Sequence, residues 1–229
     1  MSTPTPRTAA LIAACACLAM AVIAPLSLFD PAQLPAALPV ETGGAPWPSA
    51  VTAGVLKLIL GLGVVVVLDI IIAWSLYHLF RQDSARIALW MMITRVAYAL
   101  LFAFALMYAM QARDLMQDVP FDAASAAEVA DFLRRFQAGW DLALIIFSAH
   151  LLLLASLVWS DGLWRRVLAV LLAIAGLGYF ADSLIAFTLP DVTFRFALFT
   201  FAGELALIVW LFAAGGRGVS PPASGCSGS

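Results

Sequence analysis

Seven ionisable side chains lie inside segments of this chain that are otherwise apolar. They are Lys57, Asp69, Arg95, Asp141, His150, Asp182 and Glu204. A charge inside hydrocarbon is costly, so such a residue normally faces the interior of a helix bundle and binds a partner there. Carboxylates, a histidine and two bases at such depth have three uses: they carry protons, bind a solute or lock helices together. These residues are therefore the candidate functional site.

The composition indicates a membrane protein. Of the 229 residues, 64% are apolar and 11% charged, with a mean hydropathy of +1.01, whereas a soluble domain is about half apolar and a quarter charged. The net charge of −2 gives no electrostatic basis for binding nucleic acid. Cys15, Cys17 and Cys226 have neither disulfide-framework nor zinc-site spacing and are interpreted as structurally neutral. With no heme, nucleotide or metal motif, no cofactor is predicted.

Six apolar runs each approach the roughly 20 residues that cross the hydrocarbon as a helix. The predicted spans are residues 8–29, 52–80, 85–110, 138–159, 163–188 and 194–214. The first run is expected to be a retained helix rather than a cleaved signal peptide, because it continues uncharged for two turns past Cys15. The sequence therefore predicts an all-α fold, a single six-helix transmembrane bundle within residues 1–214.

The distribution of basic residues predicts the orientation of the bundle. Six arginines lie in the amino terminus, the second and fourth loops and the tail, and the remaining connections hold Arg113, Arg134, Arg135 and Arg195 among several acids. Cytoplasmic loops carry the excess of Lys and Arg, so both termini are predicted to be cytoplasmic.

Residues 111–137 are predicted to form an acidic outer loop with a short amphipathic helix. Ser125 and Glu128 have the spacing of a capping box, and an apolar stripe with helical spacing follows from Val129 to Phe136. This helix either lies on the membrane surface or continues into the fourth span, and the second arrangement is favoured because only two arginines could face lipid headgroups. Residues 215–229 are Gly, Ser and Pro without periodicity, so a disordered tail is predicted.

Matched depth predicts one ion pair. Asp69 and Arg95 each lie about a dozen residues from the turn near Asp83, so at roughly 1.5 Å per residue both reach the bilayer centre on consecutive helices. An acid and a base at one level on neighbouring helices most simply form a structural clamp.

A second group of charges is predicted nearer the outer face. Asp141 and Asp182 are level with one another there, and Lys57 and Arg195 lie at a similar level. Two carboxylates at one depth repel, so either a cation bridges them or one is protonated. Alternatively, both are hydrated at the interface.

His150 and Glu204 are predicted to lie near the midplane. Without a second ligand at metal-site spacing, His150 is interpreted as a hydrogen-bonded packing residue rather than a metal ligand or proton carrier. It is nine residues from Asp141, half a turn out of phase, so the two cannot line one cavity on a straight helix. Glu204 has no acid or base within two turns, and Arg95, His150 and Tyr179 are its candidate partners.

The predicted site thus has two parts. The buried polar cluster is Asp69, Arg95, His150, Tyr179, Asp182 and Glu204. The outer polar group is Lys57, Asp141 and Arg195.

Three stretches carry a resemblance to a known family. They are Leu168–Ser183, with Gly-Tyr-Phe-Ala-Asp-Ser at its end, Gly203–Leu211, which begins Gly-Glu-Leu, and Arg95-Val-Ala. Over residues 51–216 the chain resembles the bacterial integral-membrane family catalogued as domain of unknown function 4386. It departs at residues 160–166, where the family usually has a glycine and a proline, and the first helix is only loosely similar.

The resemblance implies a fold and a location but no activity. It implies six spanning helices in a bacterial inner membrane, and it singles out Arg95, Tyr179, Asp182 and Glu204. It supplies no reaction, and no catalytic motif is found in the sequence.

Three functions remain open. The first is a structural or accessory membrane protein, whose partners would be the lipid bilayer and either another membrane subunit or a second copy. The second is a small transporter that carries a proton or solute on its intramembrane carboxylates, since four buried acids outnumber two bases and one histidine. The third, an intramembrane enzyme on a lipid substrate, would need a side-open pocket that touches both His150 and Glu204.

Overall fold

The computed structural model describes residues 4–28, 46–189 and 197–216, and the regular secondary structure of these ranges is six α-helices. The helices are α1 Pro6–Ser27, α2 Ser49–Phe80, α3 Ala85–Asp118, α4 Ala123–Val158, α5 Leu163–Thr188 and α6 Ala197–Gly216. The predicted all-α fold is confirmed.

The helices have the length and composition of membrane spans. All of α1 to α5 are long and apolar enough to cross a membrane, and α6 contains a shorter apolar stretch, Ala202–Ala214. Large apolar side chains such as Trp90, Leu100 and Phe104 lie exposed on the outside of the bundle. Apolar surface of this extent suits lipid rather than water, and the chain is a multi-pass membrane protein.

The six helices form a closed ring. Each packs against its neighbours in sequence, and α1 also packs against α6. Glycines permit the closest approaches: a Cβ at Gly61 of α2 would overlap the Ser27 side chain of α1, and one at Gly203 of α6 would lie 2.7 Å from the Leu171 carbonyl of α5. Small residues at such crossings are what membrane helices use to bring their backbones together.

The connection between α3 and α4 is much shorter than the predicted loop 111–137. Helix α3 continues to Asp118, and α4 begins at Ala123, which leaves residues 119–122 as the connection. The physical reason is that residues 111–118 contain no proline or glycine. The helix stops only where Val119 is extended, before Pro120, a position from which the α conformation is sterically disfavoured.

The predicted capping box of α4 is wrong by one turn. Asp122, not Ser125, is the N-cap: its Oδ1 accepts a hydrogen bond from the Ser125 backbone N–H at 2.7 Å, and the Ser125 hydroxyl accepts one from the Asp122 N–H at 3.0 Å. The backbone and side-chain hydrogen bonds from Ser125 lower the pKa of Asp122. The prediction that this helix continues into the fourth span is confirmed, because α4 is a single helix.

The ends of α3 and α4 that meet at residues 119–122 belong to helices longer than the hydrocarbon is thick. A helix of 36 residues such as α4 is roughly 54 Å long, against a hydrocarbon core of about 30 Å. Near this end of α4, Asp131 pairs with Arg134 and Arg135 at exposed positions. Trp47, just before α2, donates a hydrogen bond to the Val119 carbonyl at 2.9 Å, so the approach to α2 is fixed to the α3–α4 connection.

The other boundaries differ little from the predicted spans. Helix α1 begins at Pro6 because the Thr5 hydroxyl accepts from the Thr8 N–H, which caps the helix two residues before the predicted start. Helix α6 extends to Gly216, so the predicted tail from residue 215 loses its first two residues to the helix. Arg195, Cys226 and the rest of that tail lie outside the described residues.

Candidate functional site

A buried ion pair joins α2 to α3 at the level predicted from the sequence. Arg95 donates to Asp69 Oδ1 from Nη2 at 2.6 Å and from Nε at 3.0 Å. The side chains are 3% and 0% exposed. The second carboxylate oxygen, Asp69 Oδ2, is buried and has no hydrogen-bond partner among the described residues. The pair therefore leaves one acceptor unsatisfied.

His150 of α4 binds Arg95 and so extends the ion pair into a network that joins three helices. Its Nε2 lies 3.0 Å from Arg95 Nη1, and its Nδ1 lies 3.0 Å from the Met91 carbonyl oxygen. A carbonyl only accepts and a guanidinium only donates, so Nδ1 must carry the proton and Nε2 must accept. His150 is thus a neutral imidazole with both nitrogens bonded, as expected for a packing residue.

Glu204 of α6 has a different partner. The Tyr179 hydroxyl of α5 donates to Glu204 Oε1 at 2.5 Å. Of the three candidates from the sequence, Tyr179 is therefore the one that binds. Glu204 still interacts electrostatically with Arg95 and Asp69 across the ring. Within the described part of the chain, the bond from Tyr179 is the only hydrogen bond that this carboxylate accepts.

A cavity of about 830 Å³ lies inside the ring, and every helix contributes to its wall. Its charged lining residues are Lys57, Asp69, Arg95, Asp141 and Glu204. Lys57 is exposed, whereas Asp69 is fully buried. The two are twelve residues apart on α2, which corresponds to roughly 18 Å along the helix axis. The cavity thus connects an accessible charge to buried ones.

Aromatic rings follow the same cavity from its outer to its inner end. Trp140 contacts Phe102 at a centroid distance of 5.3 Å, and Phe102 stacks on Tyr98 at 5.8 Å. Tyr98 contacts Phe147 at 4.9 Å, and Phe147 contacts Tyr179 at 5.5 Å. All five rings line the cavity, and we call them the aromatic chain. It begins beside Asp141 in sequence and ends at the tyrosine that binds Glu204.

The remaining predicted site residues lie away from the Asp69–Arg95 pair and from Glu204, or do not line the cavity. Asp141 lines the outer part of the cavity and accepts a hydrogen bond from Gln137 at 3.2 Å. His150 does not line it, in agreement with the half-turn phase difference from Asp141. Asp182 is buried on α5 but also lies outside the cavity wall. Arg195, the fourth member of the predicted outer level, lies outside the described residues.

Two parts of the wall were missed in the sequence. Cys17 of α1, interpreted as structurally neutral, lines the cavity together with Arg95, Asp69 and Glu204. Tyr98 and Phe102 follow Arg95 by three and seven residues, the spacing of one helix face. That spacing was a usable signal for the aromatic chain, since Arg95 already indicated which face of its helix is internal.

The charges on the wall have an excess of carboxylates. Asp69, Asp141 and Glu204 stand against Lys57 and Arg95. In the ranges that the structure describes, no group of three His, Cys, Asp or Glu side chains could hold a metal ion. The cavity also touches Glu204 without touching His150, so it does not offer the acid–base pair that the intramembrane-enzyme hypothesis requires.

Fold and site together define a class: a multi-pass membrane protein with a charged cavity enclosed by a ring of helices. The family model described as Domain of unknown function (DUF4386) matches residues 12–215, and the chain belongs to that family. The match begins inside α1, so the first helix is part of the family domain rather than a loosely similar addition.

A relative is known outside the bacteria. An uncharacterized protein of Archaeoglobus fulgidus is 31% identical over 153 residues, which is 67% of this chain and 80% of the relative. No solved structure matches the chain.

Proposed function

We propose that the chain is a small transporter, or a permease-like subunit of one, that binds its solute in the central cavity through Glu204, beside the Asp69–Arg95 pair. One observation carries this proposal: a single cavity extends from exposed Lys57 to buried Asp69 and partly buried Glu204. Ionisable residues that line a cavity within a membrane protein typically mark a path for ions or solutes.

The partners of the two carboxylates support binding rather than packing alone. Asp69 has an unsatisfied oxygen, and Glu204 accepts one hydrogen bond, from Tyr179, among the described residues. A carboxylate has about four acceptor positions. Glu204, which is only partly buried, therefore retains capacity for a solute that enters the cavity, whereas fully buried Asp69 remains the partner of Arg95.

The experiment that tests the proposal measures whether water reaches the cavity in the membrane. Cys15, Cys17 and Cys226 are replaced by Ser, and Ala24→Cys is introduced on the cavity wall. In proteoliposomes, we expect this thiol to react with a small, charged methanethiosulfonate reagent. Thiolates form in water far more readily than in hydrocarbon, so reaction reports a hydrated cavity.

Val22→Cys is the matched control. It lies on the same helix two residues away and is 53% exposed on the outside of the bundle, where it faces lipid and should react slowly. Equal, slow reaction at both positions would mean a dry cavity and would exclude a path for a polar solute.

The location and orientation belong to the same proposal. We infer that the bundle lies in the inner (cytoplasmic) membrane with both termini cytoplasmic, on the basis of the arginine distribution. Carboxy-terminal fusions test this: a green fluorescent protein should fluoresce and an alkaline phosphatase should be inactive. An active alkaline phosphatase and a dark green fluorescent protein would instead mean that the carboxy terminus lies on the opposite side of the membrane.

A second candidate function is structural, and the Asp69–Arg95–His150 network favours it. The network ties α2, α3 and α4 together at one level. In this case the charges act as helix clamps, and the protein would serve as an accessory subunit for another membrane protein or for a second copy.

The double charge swap tests the structural candidate. Asp69→Arg with Arg95→Asp restores opposite charges, and a clamp predicts recovery of part of the stability lost in each single variant. Recovery should be incomplete, because a carboxylate at position 95 could not donate to His150 Nε2 as the guanidinium does. Strictly additive losses would exclude a clamp.

A further inference from the structure

We propose that the solute is an organic cation with an apolar body, such as a hydrophobic amine or phosphonium, held in the aromatic chain with its charge beside Glu204. This inference rests on the proposed function, since it names the solute class of the same cavity.

The deep cation of the cavity has little capacity for an anion. Arg95 directs Nε and Nη2 to Asp69, Nη1 to His150, and Nη2 also towards the Met20 sulfur at 3.9 Å. A guanidinium has five N–H donors, so four are already directed at protein groups. Lys57 is exposed, where a long side chain can hold its ammonium towards the interface. An anionic solute would therefore find few donors at the inner end.

The acceptors at the same end are, by contrast, underused. The buried Asp69 side chain lines the cavity, and its Oδ2 has no hydrogen-bond partner within the described ranges. Glu204 accepts one bond from Tyr179. Arg95 is already paired with Asp69, so an ionised Glu204 has no paired cation among the described residues. A buried uncompensated carboxylate favours a cation beside it.

Among the described residues that share the cavity wall with Glu204, Arg95 and Lys57 are the bases, and Arg95 is paired with Asp69. Tyr179 faces it from α5, Cys17 from α1, and Arg95 and Asp69 from across the ring. From α4, Asp141 adds a further carboxylate to the cavity wall. The inner end of the cavity is therefore acidic once the Asp69–Arg95 pair is counted as neutral.

The aromatic chain supplies the second recognition element. Cations bind over aromatic faces within about 6 Å of the ring centroid, and this attraction suits quaternary ammonium and similar ions that make no hydrogen bonds. Phe147 already has the Arg95 guanidinium 5.4 Å from its centroid, so it is engaged within the protein. Trp140, Phe102, Tyr98 and Tyr179 remain as rings along the cavity.

The cavity has a volume typical of small-molecule binding sites. Its volume of about 830 Å³ falls inside the roughly 300–1,000 Å³ that small-molecule sites occupy. Its wall along α1 consists of Cys17, Met20, Ala21, Ala24 and Pro25, with Leu28 just after the helix, and none of these side chains carries a charge. An apolar body with a single positive charge fits a wall that is mostly apolar and has its free acceptors at one end.

The experiment compares two probes of one shape and opposite charge. Equilibrium dialysis of the purified full chain in detergent measures binding of tetraphenylphosphonium and of tetraphenylborate, each against empty micelles. Wild type, Glu204→Gln and Glu128→Gln are compared. Glu128 is exposed on α4, so its change matches the chemistry of the test variant away from the cavity.

We expect saturable binding of one tetraphenylphosphonium per chain and no saturable binding of tetraphenylborate. Glu204→Gln should weaken the affinity for the cation at least about tenfold, which corresponds to losing one close charge partner. Glu128→Gln should bind as wild type does. Tetraphenylphosphonium should also slow the labelling of Ala24→Cys.

Folding is checked separately. Glu204→Gln keeps an oxygen that accepts from Tyr179, so this variant should remain folded. Trp140→Leu gives a second test that leaves every charge in place. Because Trp140 lies at the opposite end of the aromatic chain from Tyr179, removal of its ring takes away a contact with the apolar body of the solute rather than with its charge. We expect cation affinity to fall about two- to tenfold, the range of aromatic pair energies.

Binding of tetraphenylborate instead of the phosphonium, or unchanged cation affinity in Glu204→Gln, would overturn the inference. If neither probe binds while Ala24→Cys still reacts, the inference fails and the proposed transporter stands. If Ala24→Cys is also unreactive, both fail.

Discussion

The two sides of the helix ring use similar polar residues in different ways. On the α2–α3–α4 side, Arg95 is held by both Asp69 and His150, and all three side chains are buried. On the α5–α6 side, Tyr179 and Glu204 are only partly buried and share one hydrogen bond. Both sides border the same cavity. The two sides therefore differ in the number of partners that each charged group has and in how completely it is buried.

This comparison separates charges that hold the fold from charges that are available to a solute. A buried pair contributes most when both members remain, because removal of one leaves an uncompensated charge in a low-dielectric interior. A carboxylate with a single neutral donor contributes less to folding and keeps its charge for another partner. The first arrangement describes the Asp69–Arg95 side, and the second describes Glu204.

The largest expected effect is the loss of Arg95. Arg95→Leu leaves Asp69 buried without a cation, and we expect the free energy of unfolding to fall by about 3–5 kcal/mol. Unfolding in mixed detergent micelles with increasing sodium dodecyl sulfate measures it. Arg135→Leu, which breaks the exposed pair with Asp131, is the matched control and should have little effect. Equal losses of stability in the two variants would mean that the buried Asp69–Arg95 pair does not hold the fold more strongly than an exposed ion pair does.

Replacement of His150 should have an intermediate effect. His150→Leu removes the acceptor of Arg95 Nη1 and the donor to the Met91 carbonyl, for an expected loss of about 1–3 kcal/mol. The same detergent titration measures it. His78 is the other histidine of the chain, and it is less buried. His78→Leu should cost less, and a larger loss there would argue against the three-helix network.

Glu204→Gln should change stability little while it changes binding strongly. Glutamine still accepts a hydrogen bond from Tyr179, so we expect the free energy of unfolding to shift by less than about 1 kcal/mol. Thermal unfolding in detergent and phosphonium dialysis on the same preparation measure the two effects. If the variant unfolds as readily as Arg95→Leu, then Glu204 belongs with the clamp, and the two sides are equivalent.

The smallest effect is expected at the outer end of the cavity. Lys57→Gln removes an exposed positive charge from the entrance and should leave stability unchanged. Tetraphenylphosphonium affinity should rise about two- to threefold at low salt, and the gain should shrink at higher ionic strength because exposed charges are screened. A loss of affinity would mean that Lys57 contacts the solute rather than repelling it.

Much of the fold follows from local sequence. Long apolar runs must be helical because hydrocarbon offers no partner for backbone groups, so the six helices were predictable from composition alone. The ion pair of Asp69 and Arg95 was also predictable, since a tight turn at residues 81–84 makes depth a matter of counting residues. The length of the α3–α4 connection was not predicted correctly, although Pro120 marks where α3 must stop.

Partner choice needed the tertiary structure. Arg95, His150 and Tyr179 were equal candidates for Glu204, because helix rotation and neighbour order, which decide between them, do not appear in depth or spacing. The closed ring places α6 between α5 and α1. Tyr179 therefore reaches Glu204, while His150, on α4, turns towards Arg95.

The order of residues identifies which charges lie within apolar runs, because that depends only on a residue and its neighbours along the chain. It does not decide which of them are buried, since Lys57 is exposed whereas Asp69 is fully buried. The cavity was decided by tertiary structure alone. Its wall takes one face from each of six helices, including Cys17 and an aromatic chain whose rings come from α3, α4 and α5, so that spacing on one helix can indicate only part of it. Such a space exists only where helix faces fail to fill the centre of the ring, and that depends on all six helices packing at once.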